Sequence, residues 1–314
     1  MTAIVSVRPI VLAAADRGHA LEVRVTAPAT GRNLPIILFS HGYGSSLDGY
    51  APLVDDWAAH GFVVIQPTHL DSRKVGLPLD DPRRPSIWRT RVDDMKRALD
   101  ELATLEQAVP GLCGRTDPSR VAAVGHSFGG QTAGMLLGAR MLGPDGEPGE
   151  DLSDSRIKAG VLLAAAGRGG RDLSPWAAEN FPYIQPGFAT LTTPTLVVAG
   201  DSDNSPLTVR GPDWFVDPYT FSPGARAFVS LVGGEHMLGG ISGYDVKETT
   251  DESRERVAVV QRASWAFLRS ALYPGDRAWA EACAALASSA LARVEQKPSA
   301  PQRDNDVPPS TTMT

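Results

Sequence analysis

Three side chains in this 314-residue sequence can be combined into a nucleophilic relay. Ser127 lies in Gly125-His126-Ser127-Phe128-Gly129, a G-x-S-x-G spacing. A serine hydroxyl attacks a carbonyl carbon only when a base takes its proton and a third group orients that base. The histidines are His19, His41, His60, His69, His126 and His236, and only His236 follows Ser127 and its motif. It stands in Gly233-Gly234-Glu235-His236-Met237, just past an apolar run. Serines on a strand-to-helix turn take their partners in the order Ser, acid, His. Val197-Val198-Ala199-Gly200-Asp201-Ser202-Asp203-Asn204 offers two acids in that interval. Asp203 is preferred, because Asp201 follows its strand directly and suits a turn cap. Asp172, after an earlier strand, is a third option.

A tetrahedral intermediate needs two preorganised backbone N–H donors. The amide of Phe128, next after the serine, is one. The amide of Tyr43, in His41-Gly42-Tyr43-Gly44, is the other, because the glycines let backbone approach the site. Tyr43, His126, Phe128, Trp176, Trp214 and Met237 are expected to line the substrate.

Rival chemistries fit less well. Gly125 to Thr132 nearly spells a phosphate loop, but Gln131 stands where a lysine must neutralise phosphate. Asp201-Ser202-Asp203-Asn204 begins like a calcium loop, yet Pro206 occupies the sharp-turn glycine position and no closing glutamate follows. There is no H-E-x-x-H, no metal-spaced Cys/His set and no dinucleotide fingerprint, so no metal or cofactor is expected. Arg83, Arg84, Arg89 and Arg91 form a small basic cluster, read here as a solvated loop and helix start.

The elements that must hold these residues follow from hydrophobic patterning. Residues 4–12 and 20–27 suggest two edge strands. Buried parallel strands are expected at 35–40, 62–67, 121–124, 157–166, 194–200 and 225–232. Helices are expected at 47–60 (stopped by Gly61), 87–108, 131–140, 254–272 and 276–294. Strand alternating with helix implies an α/β fold, a mostly parallel central sheet with helices on both faces. Residues 1–294 are expected to form a single domain with loop insertions near 142–155, 167–193 and 201–224. The last two insertions hold Trp176, Phe181, Tyr183, Phe188, Trp214, Phe215, Tyr219 and Phe221, at the strand ends where ligand sites form. Residues 295–314, rich in Pro, Ser, Thr and Asp, are expected to be a disordered tail.

A hydrophobic fraction of 42% and a charged fraction of 21% suit a globular chain. A net charge of −6 argues against nucleic acid as a partner. Cys113 and Cys283 are too few for a disulfide framework and suit free thiols in a reducing cytosol. No signal peptide and no membrane span is expected, so a cytoplasmic monomer or homodimer is.

With these residues placed, the chain resembles the α/β-hydrolase superfamily, over roughly residues 20 to 275. The resemblance is carried by Leu38-Phe39-Ser40-His41-Gly42-Tyr43-Gly44, Ala58-Ala59-His60-Gly61-Phe62-Val63-Val64, Gly125-His126-Ser127-Phe128-Gly129-Gly130 and Pro194-Thr195-Leu196-Val197-Val198. These are similar to the dienelactone-hydrolase-like branch, which includes platelet-activating-factor acetylhydrolases, chlorophyllase-like enzymes and cutinase-like polyester hydrolases. The polyester hydrolases place their acid where Asp203 stands and their oxyanion donors where Tyr43 and Phe128 stand. The acetylhydrolases take theirs after the earlier strand, which corresponds to Asp172. True dienelactone hydrolases use cysteine where this chain has Ser127.

The resemblance implies a serine carboxylic ester hydrolase working through an acyl-enzyme, and the short loop after the Ser127 helix, which argues against a large lid, points to small to medium acyl esters. Acyl transfer, thioester or amide cleavage by the same triad is the alternative. A non-catalytic binding protein on the same fold is the third reading.

Overall fold

The apolar runs become neighbouring strands of one sheet in the computed structural model, which describes residues 2–243 and 249–298. In chain order the strands are β1 (Ile4–Leu12), β2 (Leu21–Pro28), β3 (Leu34–Ser40), β4 (Val63–Pro67), β5 (Thr116–His126), β6 (Arg140–Met141), β7 (Ile157–Leu163), β8 (Pro186–Gly187), β9 (Thr195–Gly200), β10 (Ala225–Leu231) and β11 (Ala292–Gln296). The main sheet runs β1-β2-β4-β3-β5-β7-β9-β10-β11, while β6 and β8 form a separate two-stranded ribbon. From β4 through β10 all neighbours are parallel. The β1–β2, β2–β4 and β10–β11 pairs are antiparallel.

The helices are α1 (Ala51–Ala59), α2 (Ile87–Asp100), α3 (Leu102–Ala108), α4 (Phe128–Leu136), α5 (Pro175–Asn180), α6 (Asp217–Phe221), α7 (Arg254–Leu272) and α8 (Ala278–Leu286). Every residue of β3, β4 and β9 is buried, which requires cover on both faces of the sheet. Helices α1 and α7 pack together as one layer, joined by a 2.9 Å hydrogen bond from Trp57 Nε1 to Ser264 Oγ. Helices α2 and α4 pack together as another.

Several elements differ from the sequence expectation. The 87–108 helix is two helices, broken at Glu101 (φ −92°, ψ 21°). Helix α1 starts late because Tyr50 is left-handed (φ 64°) and Pro52 fits only a first turn. Helix α4 begins directly after Ser127, and Arg140 and Met141 leave it for the ribbon. β2 is an interior strand, with β1 alone at that edge. The alanine-rich 276–294 segment is helical only to Leu286, and its end turns back as β11 along β10. High alanine content argued for helix, but Ser288 and Ser289 interrupt it. The strand carries the chain through the expected tail boundary at 295; the tail from 299 lies outside the described residues.

Candidate active site

The parallel strands all end at one edge of the sheet, and the candidate residues sit on the loops that leave it. Tyr43 follows β3, Ser127 follows β5, Asp203 follows β9 and His236 follows β10.

Ser127 occupies the tight turn between β5 and α4 with φ 55° and ψ −120°, a conformation a non-glycine residue adopts only when its surroundings impose it. Those surroundings are close. A Cβ on Gly125 would lie 1.9 Å from the Gly129 carbonyl oxygen, and one on Gly129 would lie 2.0 Å from that of Ser40. Glycine at both positions is what lets helix, turn and β3 cross. The Ser127 amide donates to the Leu163 carbonyl at 2.9 Å, anchoring the turn to β7.

His236 Nε2 is 2.9 Å from Ser127 Oγ, and His236 Nδ1 is 2.8 Å from Asp203 Oδ2. The Asp203 side chain is buried and that of His236 half-buried, so the carboxylate is shielded while the imidazole faces the cleft. With Nδ1–H donated to the carboxylate, Nε2 is left as the acceptor for the serine proton. The loop around His236 is itself anchored: Asp251 Oδ2 accepts the Glu235 amide at 2.9 Å and the Gly239 amide at 3.0 Å. The other two acids engage elsewhere. Asp201 Oδ1 accepts the Gly233 amide at 2.7 Å, and Asp172 pairs with Arg210 at 3.0 Å.

The Phe128 amide is the first of α4 and therefore has no intrahelical acceptor. The Tyr43 amide lies in a loop held on both sides. The Gly42 amide donates to the Tyr50 hydroxyl at 3.0 Å, and the Gly44 amide to Asp71 Oδ2 at 3.2 Å. Arg91 Nη2 donates to the His41 carbonyl, and the His41 ring returns Nδ1–H to the Gly42 carbonyl at 2.7 Å. Burial and the nearby Arg91 charge hold His41 down to about 4, so its ring stays neutral and keeps that role.

Arg91 corrects the sequence reading of a solvated basic cluster. Its side chain is fully buried and clamps both oxygens of Asp71. Burial pushes the Asp71 carboxyl up, but the Arg91 charge, its hydrogen bonds and the Gly44 amide, with the nearby His41, together hold it below its usual range. The other three arginines stay near the surface: Arg83 pairs with Asp81, Arg89 with Glu150, and Arg84 reaches the Tyr43 hydroxyl at 3.3 Å.

Two cavities meet at Ser127 and His236. One, about 270 Å³, is apolar, with Phe128, Phe181, Tyr183, Leu207, Trp214 and Phe215 in its wall. The other, about 380 Å³, is the more polar of the two, with Ser45, Ser72, Arg73, Lys74, Met237 and Ser242 in its wall. Tyr43 borders both. Trp214 is fully buried and donates Nε1–H to the Arg168 carbonyl at 2.8 Å, leaving its ring as fixed wall. Trp176 is 53% exposed at the rim, edge-on to Phe181. His126 differs from the expected substrate contact. Its buried ring backs the polar cavity, but both nitrogens bond within the protein, to Tyr50 Oη and to the His236 carbonyl at 2.8 Å each.

Sequence carries no signal for Tyr50, Asp71 and Asp251, and it places Arg91 at the surface. An aspartate and an arginine in a loop and helix of ordinary composition carry no local mark of burial. Among the described residues, no three His, Cys, Asp or Glu side chains gather as a metal site requires. No described helix is long and apolar enough to cross a membrane.

The sheet order, the strand-turn-helix at Ser127 and the comparisons with known proteins agree. A family model described as chlorophyllase matches residues 5–140. The architecture is the α/β-hydrolase fold, and the matches support a relationship to its esterases. Platelet-activating factor acetylhydrolase of Cavia porcellus is 30% identical over 169 residues, 43% of this chain and 35% of that protein. Cutinase est2 of Thermobifida alba is 26% identical over 215 residues, 68% of this chain and 57% of that protein. The Bos taurus acetylhydrolase is 27% identical over 43% of this chain and 36% of its own length. The chain therefore spans between about a third and three fifths of the length of the relatives it matches.

Proposed function

We propose that this chain hydrolyses carboxylic esters of small to medium acyl groups through an acyl-enzyme. The observation that carries the reading is the unbroken line from Ser127 Oγ through His236 to the buried Asp203 carboxylate, with links of 2.9 and 2.8 Å. Ser127 Oγ attacks the ester carbonyl carbon as its proton passes to His236 Nε2. The imidazolium that forms is stabilised by Asp203, which holds the ring in the required tautomer. The carbonyl oxygen takes the negative charge and is held by the Tyr43 and Phe128 amides, each donor worth on the order of 3 kcal/mol. Collapse expels the alcohol, which takes the proton from His236. Water then repeats the sequence on the acyl-serine, releasing the acid and restoring Ser127.

The apolar cavity suits the acyl chain and the polar cavity the alcohol. At about 270 Å³ the apolar side favours short and medium chains over long ones. The acetylhydrolase and cutinase names of the relatives support ester chemistry for this chain.

The test is hydrolysis of p-nitrophenyl acetate and butyrate by wild type and Ser127→Ala. Loss of the nucleophile is expected to lower kcat by at least about 10³-fold. Retention of most activity in Ser127→Ala sinks the assignment.

A further inference from the structure

The hydrogen bonds around His126 have only one consistent direction. The His236 carbonyl can only accept, so His126 Nε2, 2.8 Å from it, carries the proton. In the neutral ring Nδ1 is then an acceptor, and the Tyr50 hydroxyl 2.8 Å away donates to it. The same hydroxyl oxygen accepts the Gly42 amide at 3.0 Å. The chain therefore runs Gly42 N–H to Tyr50 O–H to His126 to the His236 carbonyl. It joins loops that leave β3, β5 and β10, the three that carry Tyr43, Ser127 and His236.

From this geometry we infer that Tyr50 and His126 are positioning residues, which couple the placement of the Tyr43 amide to that of the His236 imidazole across Ser127. This rests on the esterase reading of the same site.

Further observations bear on it. Tyr50 and His126 are 2% and 1% exposed, so water does not substitute for either partner. Burial, and next the His236 charge, hold His126 down to about 3, which keeps its ring neutral and the direction of the chain unchanged near neutral pH. Tyr50 sits at φ 64°, a left-handed conformation that its ring packing on Phe39 and its hydroxyl contacts must support. A Cβ on Gly42 would lie 2.9 Å from the Tyr50 hydroxyl, 3.3 Å from His126 Nδ1 and 3.6 Å from Ser127 Cβ. The relay and Ser127 thus crowd the same side of Gly42, where only a glycine fits.

Tyr50→Phe removes one oxygen and keeps the ring. Its effect is read as the rate of Ser127 labelling by a fluorophosphonate and as kcat and KM for p-nitrophenyl butyrate, with thermal unfolding as a check on folding. A misplaced catalytic group costs up to about 10²-fold, so labelling and kcat are expected to fall about ten-fold while KM stays within about two-fold. His126→Phe is expected to lose at least as much, and the double variant no more than His126→Phe alone, because both substitutions cut one chain. If His126→Phe fails to fold, Tyr50→Phe decides alone. Tyr50→Phe labelled and turning over like wild type overturns the relay and leaves the esterase reading standing. Multiplying losses in the double variant also overturn it. Failure of wild type to label or to hydrolyse overturns the esterase reading and the relay with it.

Discussion

Arg91 Nη1 lies 2.6 and 2.7 Å from the two carboxylate oxygens of Asp71, with both side chains fully buried. This ion pair sits under the loop after β3. Arg91 holds the His41 carbonyl and Asp71 the Gly44 amide, so the pair brackets Tyr43 on both sides. The guanidinium also lies 4.6 Å from the centroid of the Phe128 ring, beside the other proposed oxyanion donor. Removing one partner leaves a buried charge uncompensated, at a cost of about 3–5 kcal/mol. Arg91→Met is therefore expected to lower the unfolding temperature by several degrees at the least. Arg91→Lys keeps the charge but loses the fork that reaches Asp71 and His41 together. It is expected to fold and to lose kcat more than KM. Unfolding of Arg91→Met at the wild-type temperature would show that the pair is not needed.

Three buried neutral histidines set the response to acid. Burial holds His41 down to about 4, His126 to about 3, and His69 well below its ordinary value. In the unfolded chain all three take up protons as pH falls through about 6.5, and the folded chain does not. Stability is therefore present above that pH and lost below it. Asp94 opposes this: burial raises it to about 7, so the folded state binds one proton that the unfolded state lacks down to about pH 4. Three protons against one leaves a slope of about 2–3 kcal/mol per pH unit between pH 6 and 5. Asp56 and Asp93, raised by partial burial, act in the same sense as Asp94 and soften the slope. Urea midpoints at pH 7, 6 and 5 measure it. A midpoint that does not fall across that range contradicts the burial of these rings as neutral groups.

The apolar cavity predicts a chain-length effect. Ala166 lines it beside Phe215 and Leu207. Ala166→Leu adds three carbons to that wall, and one methylene of mismatch costs about 1–3 kcal/mol. The variant is expected to lose p-nitrophenyl hexanoate activity at least about ten-fold relative to acetate. Equal losses on both esters would move the acyl chain to the polar cavity.

The places of the parallel strands along the chain and the turn at Ser127 could be read from sequence because each is written locally, as an apolar run ending in small residues. The order serine, aspartate, histidine was enough to find three side chains that meet in space. The anchoring groups were not readable in the same way. His126 meets Tyr50 across 76 residues of sequence and the His236 carbonyl across 110. Arg91 looks like any helix-start arginine until Asp71, twenty positions earlier, is folded against it. The break at Glu101 and the turn to β11 failed for a related reason, since helical composition says which residues tolerate a helix and not where tertiary contacts end one.

The antiparallel strand β11 covers residues 227–231 of β10, and the Val232 amide donates to the Leu291 carbonyl at 2.8 Å. Without it, an apolar strand, Ala225-Arg226-Ala227-Phe228-Val229-Ser230-Leu231, would present a row of unpaired amides and carbonyls to any other chain in solution. Such a free margin is a template for aggregation. The same loss would take one support from the stem of the loop that carries His236, leaving β9 and Asp251 to hold it. Shortened versions of this protein made for fusion or crystallisation should therefore keep the sequence through Gln296. A boundary drawn at residue 290, in the alanine-rich segment, would give a sticky protein whose histidine loop had lost one of its tethers.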